Sequence, residues 1–247
     1  MEDNKSLSSQ MKTILMKDCE KSQSEIEKYI NSLGGKFIRC PYNFFSESDA
    51  HSFLYYYIFR SGWKPLKLPH PTKDPSIKTV LIHRGYPTSF RYRKDTMKLD
   101  RKGGRGHYDL VILNPEFLAN HSISEVIAKS FKKCCIEENN HILAAIEFKL
   151  IVDPLSKQFK SEIKKDFIKL TWAIEKRQAQ SAYMIIFNRC RPEKAFVNKL
   201  DRIVRENPNV RGLYIESVLK PERSFYINYI NDWERKLRFK QDNSGGN

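Results

Sequence analysis

The sequence has few of the residues that define disulfide-linked or membrane-spanning proteins. It contains five cysteines among 247 residues, an odd number without a Cys-x-x-Cys pair. This argues against a disulfide framework and a structural zinc site. No apolar run approaches the ~20 residues of a transmembrane helix, and the polar, acid-containing start MEDNKSLSSQ is unlike a secretory signal. We therefore expect free thiols, no membrane association and a cytoplasmic protein.

Acidic residues are scarce relative to basic ones. The chain carries 44 Lys and Arg against 29 Asp and Glu, a formal net charge of +15. Such a surplus attracts polyanions, because cations near phosphates release condensed counterions. The charge alone leaves two interpretations open: a nucleic-acid-binding surface, or a basic surface that serves only solubility. The 40% hydrophobic content is sufficient for a packed core.

The hydrophobic pattern predicts one α/β domain with helical extensions. Apolar residues at three- and four-residue intervals over residues 5–33 predict one or two helices that end at Gly34-Gly35. We expect an N-terminal helical extension over residues 1–35, an α/β core over 46–218, a C-terminal helical segment over 219–240 and a disordered tail over 241–247. A capping box of Ser46 and Asp49 begins the first core helix.

Strands alternate with helices through the core, which is typical of an α/β fold. Strands are predicted at Lys78 to His83, Tyr108 to Leu113, Ile142 to Val152, Ala182 to Asn188 and Gly212 to Val218. Helices are predicted at Ser122 to Glu138, Ser156 to Gln178, Pro192 to Asn207 and Tyr226 to Arg238. The second and third strands are apolar on both faces, as expected of central strands. A basic, glycine-bearing connection separates the first two.

Charged residues interrupt these apolar strands at three positions. Glu147 and Lys149 share one face of their strand, roughly 7 Å apart. Asp109 follows the turn GGRGH directly, so we expect its carboxylate at the sheet edge where that strand begins. If the two strands are neighbours, the carboxylates repel each other unless a divalent cation bridges them. The alternatives are ordinary ion pairs at strand ends and an Asp that caps a turn.

Two helices each direct an acid toward the sheet. The first stripe contains Glu47, Ala50, His51, Leu54 and Ile58, and the second contains Phe159, Ile163, Asp166 and Leu170. An acid on such a stripe points inward. Glu47 has the alternative role of favouring the helix dipole, and Asp166 that of pairing with a neighbouring lysine or backbone group.

The order of these residues resembles the PD-(D/E)xK nuclease superfamily. Glu47 lies on an early helix, Asp109 in HYDLVIL, and Glu147 and Lys149 in AAIEFKL. The resemblance covers residues 47–188, and it departs from the family pattern in having Tyr108 where the proline stands and 38 positions between the two acids. It implies a restriction-endonuclease-like mixed central sheet flanked by helices.

The resemblance also implies a metal-dependent mechanism. Asp109, Glu147, Glu47 and the Phe148 backbone carbonyl would bind Mg²⁺, with Mn²⁺ as a substitute. Lys149 would orient the water and stabilise developing charge, and Asp166 would support these groups from behind. A metal ion suits phosphodiester hydrolysis because it lowers the pKa of bound water and neutralises the phosphate.

Basic residues near these acids are candidates for phosphate contacts. They are Arg91, Arg93, Arg101, Lys102, Arg105, His107, Lys164, Lys165 and Lys169. An ordinary solvated loop is the alternative for the first five. We expect a magnesium-dependent endonuclease that acts on DNA rather than RNA, in restriction or in defence against mobile elements, as a homodimer or within a larger complex. The alternatives are a non-catalytic nucleic-acid-binding subunit, an RNA-processing nuclease, and a basic scaffold protein with simple ion pairs.

Overall fold

A mixed sheet flanked by helices forms the part of the chain that the structure describes. The computed structural model describes residues 23–60, 69–126, 141–152, 157–190, 194–217 and 227–230. The helices are α1 over residues 23–39, α2 Glu47–Arg60, α3 Pro115–Asn120, α4 Ile123–Val126, α5 Lys157–Glu175 and α6 Lys194–Glu206. The strands are β1 His70–Pro71, β2 Lys78–Thr79, β3 Ile82–Arg93, β4 Lys98–Leu99, β5 Gly104–Leu113, β6 Ile142–Ile151, β7 Ala179–Asn188, β8 Arg211–Glu216 and β9 Ile227–Ile230.

The main sheet has β6 at its centre. Its strand order is β4-β3-β5-β6-β7-β8-β9, and β1 pairs separately with β2. The ladders among β3, β4, β5 and β6 are antiparallel, those joining β6, β7 and β8 are parallel, and β9 returns antiparallel to β8. The prediction of an α/β fold with a mixed sheet flanked by helices is confirmed. Residues 108–113 of β5 are buried except for the half-buried Asp109, and nearly every residue of β6 is buried, as the two-sided apolar pattern of these two segments predicted. Most of β7 is buried as well.

The core is formed where helices cover both central strands. Phe37, Phe44, Phe53 and Phe187 pack as an aromatic cluster with ring centroids 4.7–5.4 Å apart. On α5, the spacing of Ile163, Phe167 and Leu170 turns all three into the core. Among the described residues, no helix is both long and apolar enough to cross a membrane.

Helix α1 continues to residue 39, so the prediction that it ends at Gly34-Gly35 was wrong. Leu33 and Phe37 on either side of the glycines are fully buried, and this packing outweighs the low helix propensity of glycine. A Cβ at Gly34 would lie 2.8 Å from Ile215 Cδ1. The glycine therefore permits the close approach of helix and sheet.

A long hairpin of β3 and β5 replaces the predicted strand at Lys78 to His83 and the loop that follows it. β3 runs from Ile82 to Arg93, and β4 pairs with its far end. The sequence pattern did not predict this ribbon, because few residues of β3 and neither residue of β4 are buried. The segment therefore lacks the regular apolar alternation that identifies a strand. Position 106 of the ribbon has no space for a side chain, because a Cβ there would lie 2.2 Å from the Tyr92 hydroxyl.

The C-terminal segment also differs from the prediction. Residues 227–230 form β9 on the edge of the sheet instead of the start of a helix, because their backbone pairs with β8 from Ile215 to Gly212. Among the described residues, neither Cys40 nor Cys190 forms a disulfide. The predictions for residues 1–22, for most of the helix at Ser122 to Glu138, for the C-terminal helical segment at 219–226 and 231–240, and for the tail at 241–247 lie outside the described residues.

Candidate active site

The site lies where β5 and β6 stop pairing. The antiparallel ladder runs from Leu113 opposite Ile142 to Leu110 opposite Ile146, and Asp109 and Glu147 follow directly. Beyond the ladder, the Phe148 backbone N–H donates to Asp109 Oδ2 at 2.8 Å, so a side chain of β5 accepts this hydrogen bond of β6. The two predicted acids therefore lie on neighbouring strands, which meets the condition under which their carboxylates would repel each other.

Asp109 lies in the interior of its strand, so the prediction that it begins the strand was wrong. β5 starts at Gly104 because that glycine segment pairs with β3. Burial raises the pKa of Asp109, but His51, the Phe148 N–H and Lys149 together outweigh burial, and the net pKa lies below its ordinary value. Asp109 is therefore an ionised acceptor at neutral pH.

His51 is a part of the site that the sequence analysis placed only on the inward stripe of α2. Its Nε2 lies 3.7 Å from Asp109 Oδ2, its ring packs on Phe148 with centroids 4.8 Å apart, and Arg84 NH2 lies 3.3 Å from its Nδ1. A guanidinium only donates hydrogen bonds, so Nδ1 is the acceptor and the proton of the neutral ring is on Nε2. His51 therefore presents an N–H to Asp109 and has no lone pair there for a metal ion.

Glu147 is buried with its own counter-ion. The residue is 2% exposed, and Lys169, 6% exposed, places its Nζ 2.7 Å from Glu147 Oε1. Lys169 Nζ also lies 3.1 Å from Asp166 Oδ1 and donates to the His107 carbonyl at 2.9 Å. Burial raises the pKa of Glu147 well above its ordinary value, more strongly than Lys169 lowers it.

Lys169, which we predicted as a candidate phosphate contact, is instead buried. Its ammonium is enclosed by three acceptors, because α5 turns this position toward the sheet beside Phe167 and Leu170. Burial lowers the pKa of Lys169, but Glu147 and Asp166 raise it further, and the net shift is upward. The ammonium stays charged and holds Glu147 and Asp166 in place.

Lys149 occupies the corresponding position between Glu47 and Asp166. Its Nζ lies 3.1 Å from Asp166 Oδ2 and 3.6 Å from Glu47 Oε1. Burial lowers the pKa of Lys149, yet the two acids outweigh burial and the pKa ends above its ordinary value. Burial raises the pKa of Glu47, and Lys149 opposes this shift only in part. The inward direction predicted for Glu47 and Asp166 is confirmed.

The donor chemistry of the cluster suits a hard divalent cation. Three carboxylates and two ammonium groups meet within one chain of ion pairs 2.7–3.6 Å long. With the neighbouring Asp109 carboxylate, which interacts electrostatically with Lys149, the formal charge when all groups are ionised is −2, which one Mg²⁺ would neutralise. The side chains do not already form a cage, because among the described residues no three Asp, Glu, His or Cys groups are spaced to hold one ion. The metal site at Asp109, Glu147, Glu47 and Phe148 stays a prediction.

The predicted phosphate contacts fall into two groups. Arg105 and His107 alternate along β5 with the buried Gly106 and Tyr108, so they share the open face of Asp109. Arg91 lies opposite Arg105. The second group of predicted phosphate contacts consists of exposed or half-exposed cations: Arg93, Arg101 and Lys102 on the ribbon, and Lys164 and Lys165 on α5.

Comparisons with family models, with curated proteins and with solved structures found no match to this chain. The function must therefore be argued from the geometry. That geometry consists of ionised Asp109, enclosed Glu147 and two charged lysines at the point where two central strands separate.

Proposed function

We propose that this protein is a nuclease that hydrolyses phosphodiester bonds in DNA with the help of Mg²⁺. One observation carries the proposal: side chains from α2, β5, β6 and α5 converge on a single acidic cluster beside a basic strand face. Buried charges are costly unless function or pairing retains them. With all four carboxylates ionised the site keeps a formal charge of −2 beside cations, which suits a metal ion and a phosphate.

In this proposal the residues have separate tasks. Asp109 and Glu147 would hold the ion with the Phe148 carbonyl, and Glu47 would complete the site. The metal ion, when bound, supplies an activated water and neutralises charge on the phosphate. Lys149 stabilises the charge that develops on the phosphate oxygens, because an ammonium whose pKa is raised remains protonated and cannot act as a base. Asp166 orients both lysines through its two carboxylate oxygens.

We also propose that the mixed sheet is a restriction-endonuclease-like fold. An acid-bearing helix, an antiparallel β5–β6 pair, a parallel β6–β7–β8 set and the connecting helix α5 follow the order expected of a restriction-endonuclease-like fold. A cytoplasmic role in restriction or defence against mobile elements, in a homodimer or larger complex, follows from the resemblance.

A specific observation favours a second candidate, a nucleic-acid-binding subunit without catalysis. Glu147, Glu47 and Asp166 already have lysine partners, so the cluster is largely neutralised by the chain itself. In this alternative the ion pairs hold α2 and α5 onto the sheet, and the basic ribbon binds nucleic acid.

Cleavage assays distinguish these candidates. Plasmid DNA, single-stranded DNA and RNA are incubated with the protein and Mg²⁺, Mn²⁺ or EDTA. We expect metal-dependent cleavage of DNA that Asp109→Asn abolishes and that Glu116→Gln, a matched change at an exposed acid of α3, leaves intact. Binding without cleavage in either metal would favour the second candidate. Cleavage that persists in Asp109→Asn would contradict the site, and cleavage confined to RNA would contradict the substrate.

A further inference from the structure

The most basic segment of the described chain is the far end of the β3–β5 hairpin. This ribbon tip, residues 91–105, contains seven Lys and Arg against two Asp, a net charge of +5 within 15 residues of a chain whose total is +15. The turn residues 94–96 and 101–102 and both residues of β4 are exposed. A third of the net charge is therefore concentrated on one narrow projection from the sheet edge.

Most of these charges are available to a partner. Arg93 pairs with Asp100 at 2.6 Å, and Arg91 donates to the Gly103 carbonyl at 3.3 Å. Within the described residues, Lys94, Lys98, Arg101 and Lys102 make no ion pair and no side-chain hydrogen bond. The Asp100 contacts, including the Lys102 N–H at 2.9 Å, fix the turn that carries Arg101 and Lys102. These contacts hold the turn, and Lys94, Lys98, Arg101 and Lys102 are all exposed.

The ribbon tip is anchored on the helix that serves the site. Tyr92 packs on Trp172 of α5 with ring centroids 5.6 Å apart, and Phe90 packs on the same ring at 5.7 Å. From the tip, β5 leads directly to Asp109, with His107 and Arg105 about 7 and 14 Å away along the strand. The tip is therefore joined to Asp109 along one face of β5.

The chemistry of the tip favours a double-stranded partner. Proteins that bind single strands stack bases on exposed aromatic side chains. Tyr92 is the only aromatic residue of the tip, and it is 6% exposed because its ring packs against Gly106 and Trp172. A two-stranded ribbon about 5 Å between strands, with side chains on both sides, matches the ~12 Å width of the DNA major groove.

We propose that the ribbon tip enters a groove of double-stranded DNA and is the element by which this protein recognises a duplex. This inference rests on the proposed function only in taking DNA as the partner. Lys94, Lys98, Arg101 and Lys102 contact phosphates on both sides of the groove, and Arg105 and His107 continue that contact toward Asp109.

Paired charge reversals test this placement. Arg101→Glu/Lys102→Glu alters the tip, and Lys199→Glu/Arg205→Glu makes the same change of charge at exposed positions of α6. Binding of a 30-base-pair duplex and of its single strands is measured by fluorescence anisotropy in EDTA over a series of salt concentrations. Thermal melting of each variant verifies that it is folded.

We expect the tip variant to bind the duplex about tenfold or more weakly at 0.1 M salt, with a slope of log affinity against log salt that is shallower by about two. The α6 variant should stay within about threefold of the unaltered protein, and single-strand binding should change less than duplex binding. Equal losses in both variants, or equal losses for duplex and single strand, would overturn the inference.

The binding assay in EDTA separates this inference from the proposed catalysis. Duplex binding that depends on the tip, in a protein that cleaves nothing with Mg²⁺, would leave the inference standing and refute the nuclease. Cleavage that both charge reversals reduce equally would leave the nuclease standing and refute the inference.

Discussion

Replacing Lys169 by Met tests whether this lysine is the counter-ion that keeps Glu147 inside the protein. Met retains an unbranched, apolar side chain but has no ammonium group. Glu147, 2% exposed, would lose its 2.7 Å ion pair, and Asp166 and the His107 carbonyl would each lose a donor. Removing one partner of a buried ion pair costs about 3–5 kcal/mol. We expect the free energy of unfolding to fall by about 4 kcal/mol at neutral pH.

The loss should grow as the pH rises. Burial raises the pKa of Glu147 above its ordinary value of 4.5, and removal of Lys169 raises it further. Below pH 4.5 the carboxyl is protonated in both the folded and the unfolded variant, so the penalty is smallest. Between the folded pKa of the unaltered protein and the higher folded pKa of the variant, only the variant keeps the proton on Glu147, so its stability relative to the unaltered protein falls as the pH rises through that range.

Urea denaturation at pH 5 and pH 7.5 measures both effects. Arg202→Met, which removes the exposed 3.0 Å pair with Glu206, is the matched control and should cost less than about 1 kcal/mol. Lys169→Met combined with Glu147→Gln should recover part of the loss, because the carboxyl that lost its counter-ion is replaced by an uncharged amide. A cost below about 1 kcal/mol in Lys169→Met, or a cost that decreases as the pH rises, would refute the counter-ion role.

Two further substitutions test the neighbours of the site. His51→Leu removes the N–H that faces Asp109, so the pKa of Asp109 should rise and the acid limb of the pH–rate profile for cleavage should move to higher pH. The cleavage rate should fall by about 10- to 100-fold, and His51→Gln should restore part of it. An unshifted pH profile would exclude this role of His51. Gly106→Ala places a Cβ 2.2 Å from the Tyr92 hydroxyl and should destabilise the protein by about 1–3 kcal/mol. Gly104→Ala, with nothing within 4 Å, should be within about 0.5 kcal/mol of the unaltered protein in the same urea experiment, and equal effects would contradict the packing.

The sequence predicts the centre of the sheet better than its periphery. Apolar residues on both faces identify β5 and β6, and the positions of Asp109, Glu147 and Lys149 within them indicate the site. The helical stripe of α2 identifies Glu47 as inward. These features depend on local periodicity, which the chain displays directly.

The rest depends on tertiary contacts that local patterns do not contain. The burial of Lys169 follows from the approach of α5 to β6, and the proton position of His51 follows from Arg84, 33 residues away. The ribbon lacks apolar alternation because most of its outer residues face solvent. His51 carried one usable signal: it lies one turn after Glu47 on the same inward stripe.

The single-turnover cleavage rate of Lys149→Met tests the central claim most directly. Lys149 lies between Glu47 and Asp166, and its ammonium is the charge that we propose stabilises the phosphate. With saturating duplex and Mg²⁺, the rate should fall by about 100-fold or more while duplex binding stays within about threefold. Lys176→Met, the same change at an exposed lysine, should have no effect. A Lys149→Met rate within about threefold of the unaltered protein would contradict the proposed site.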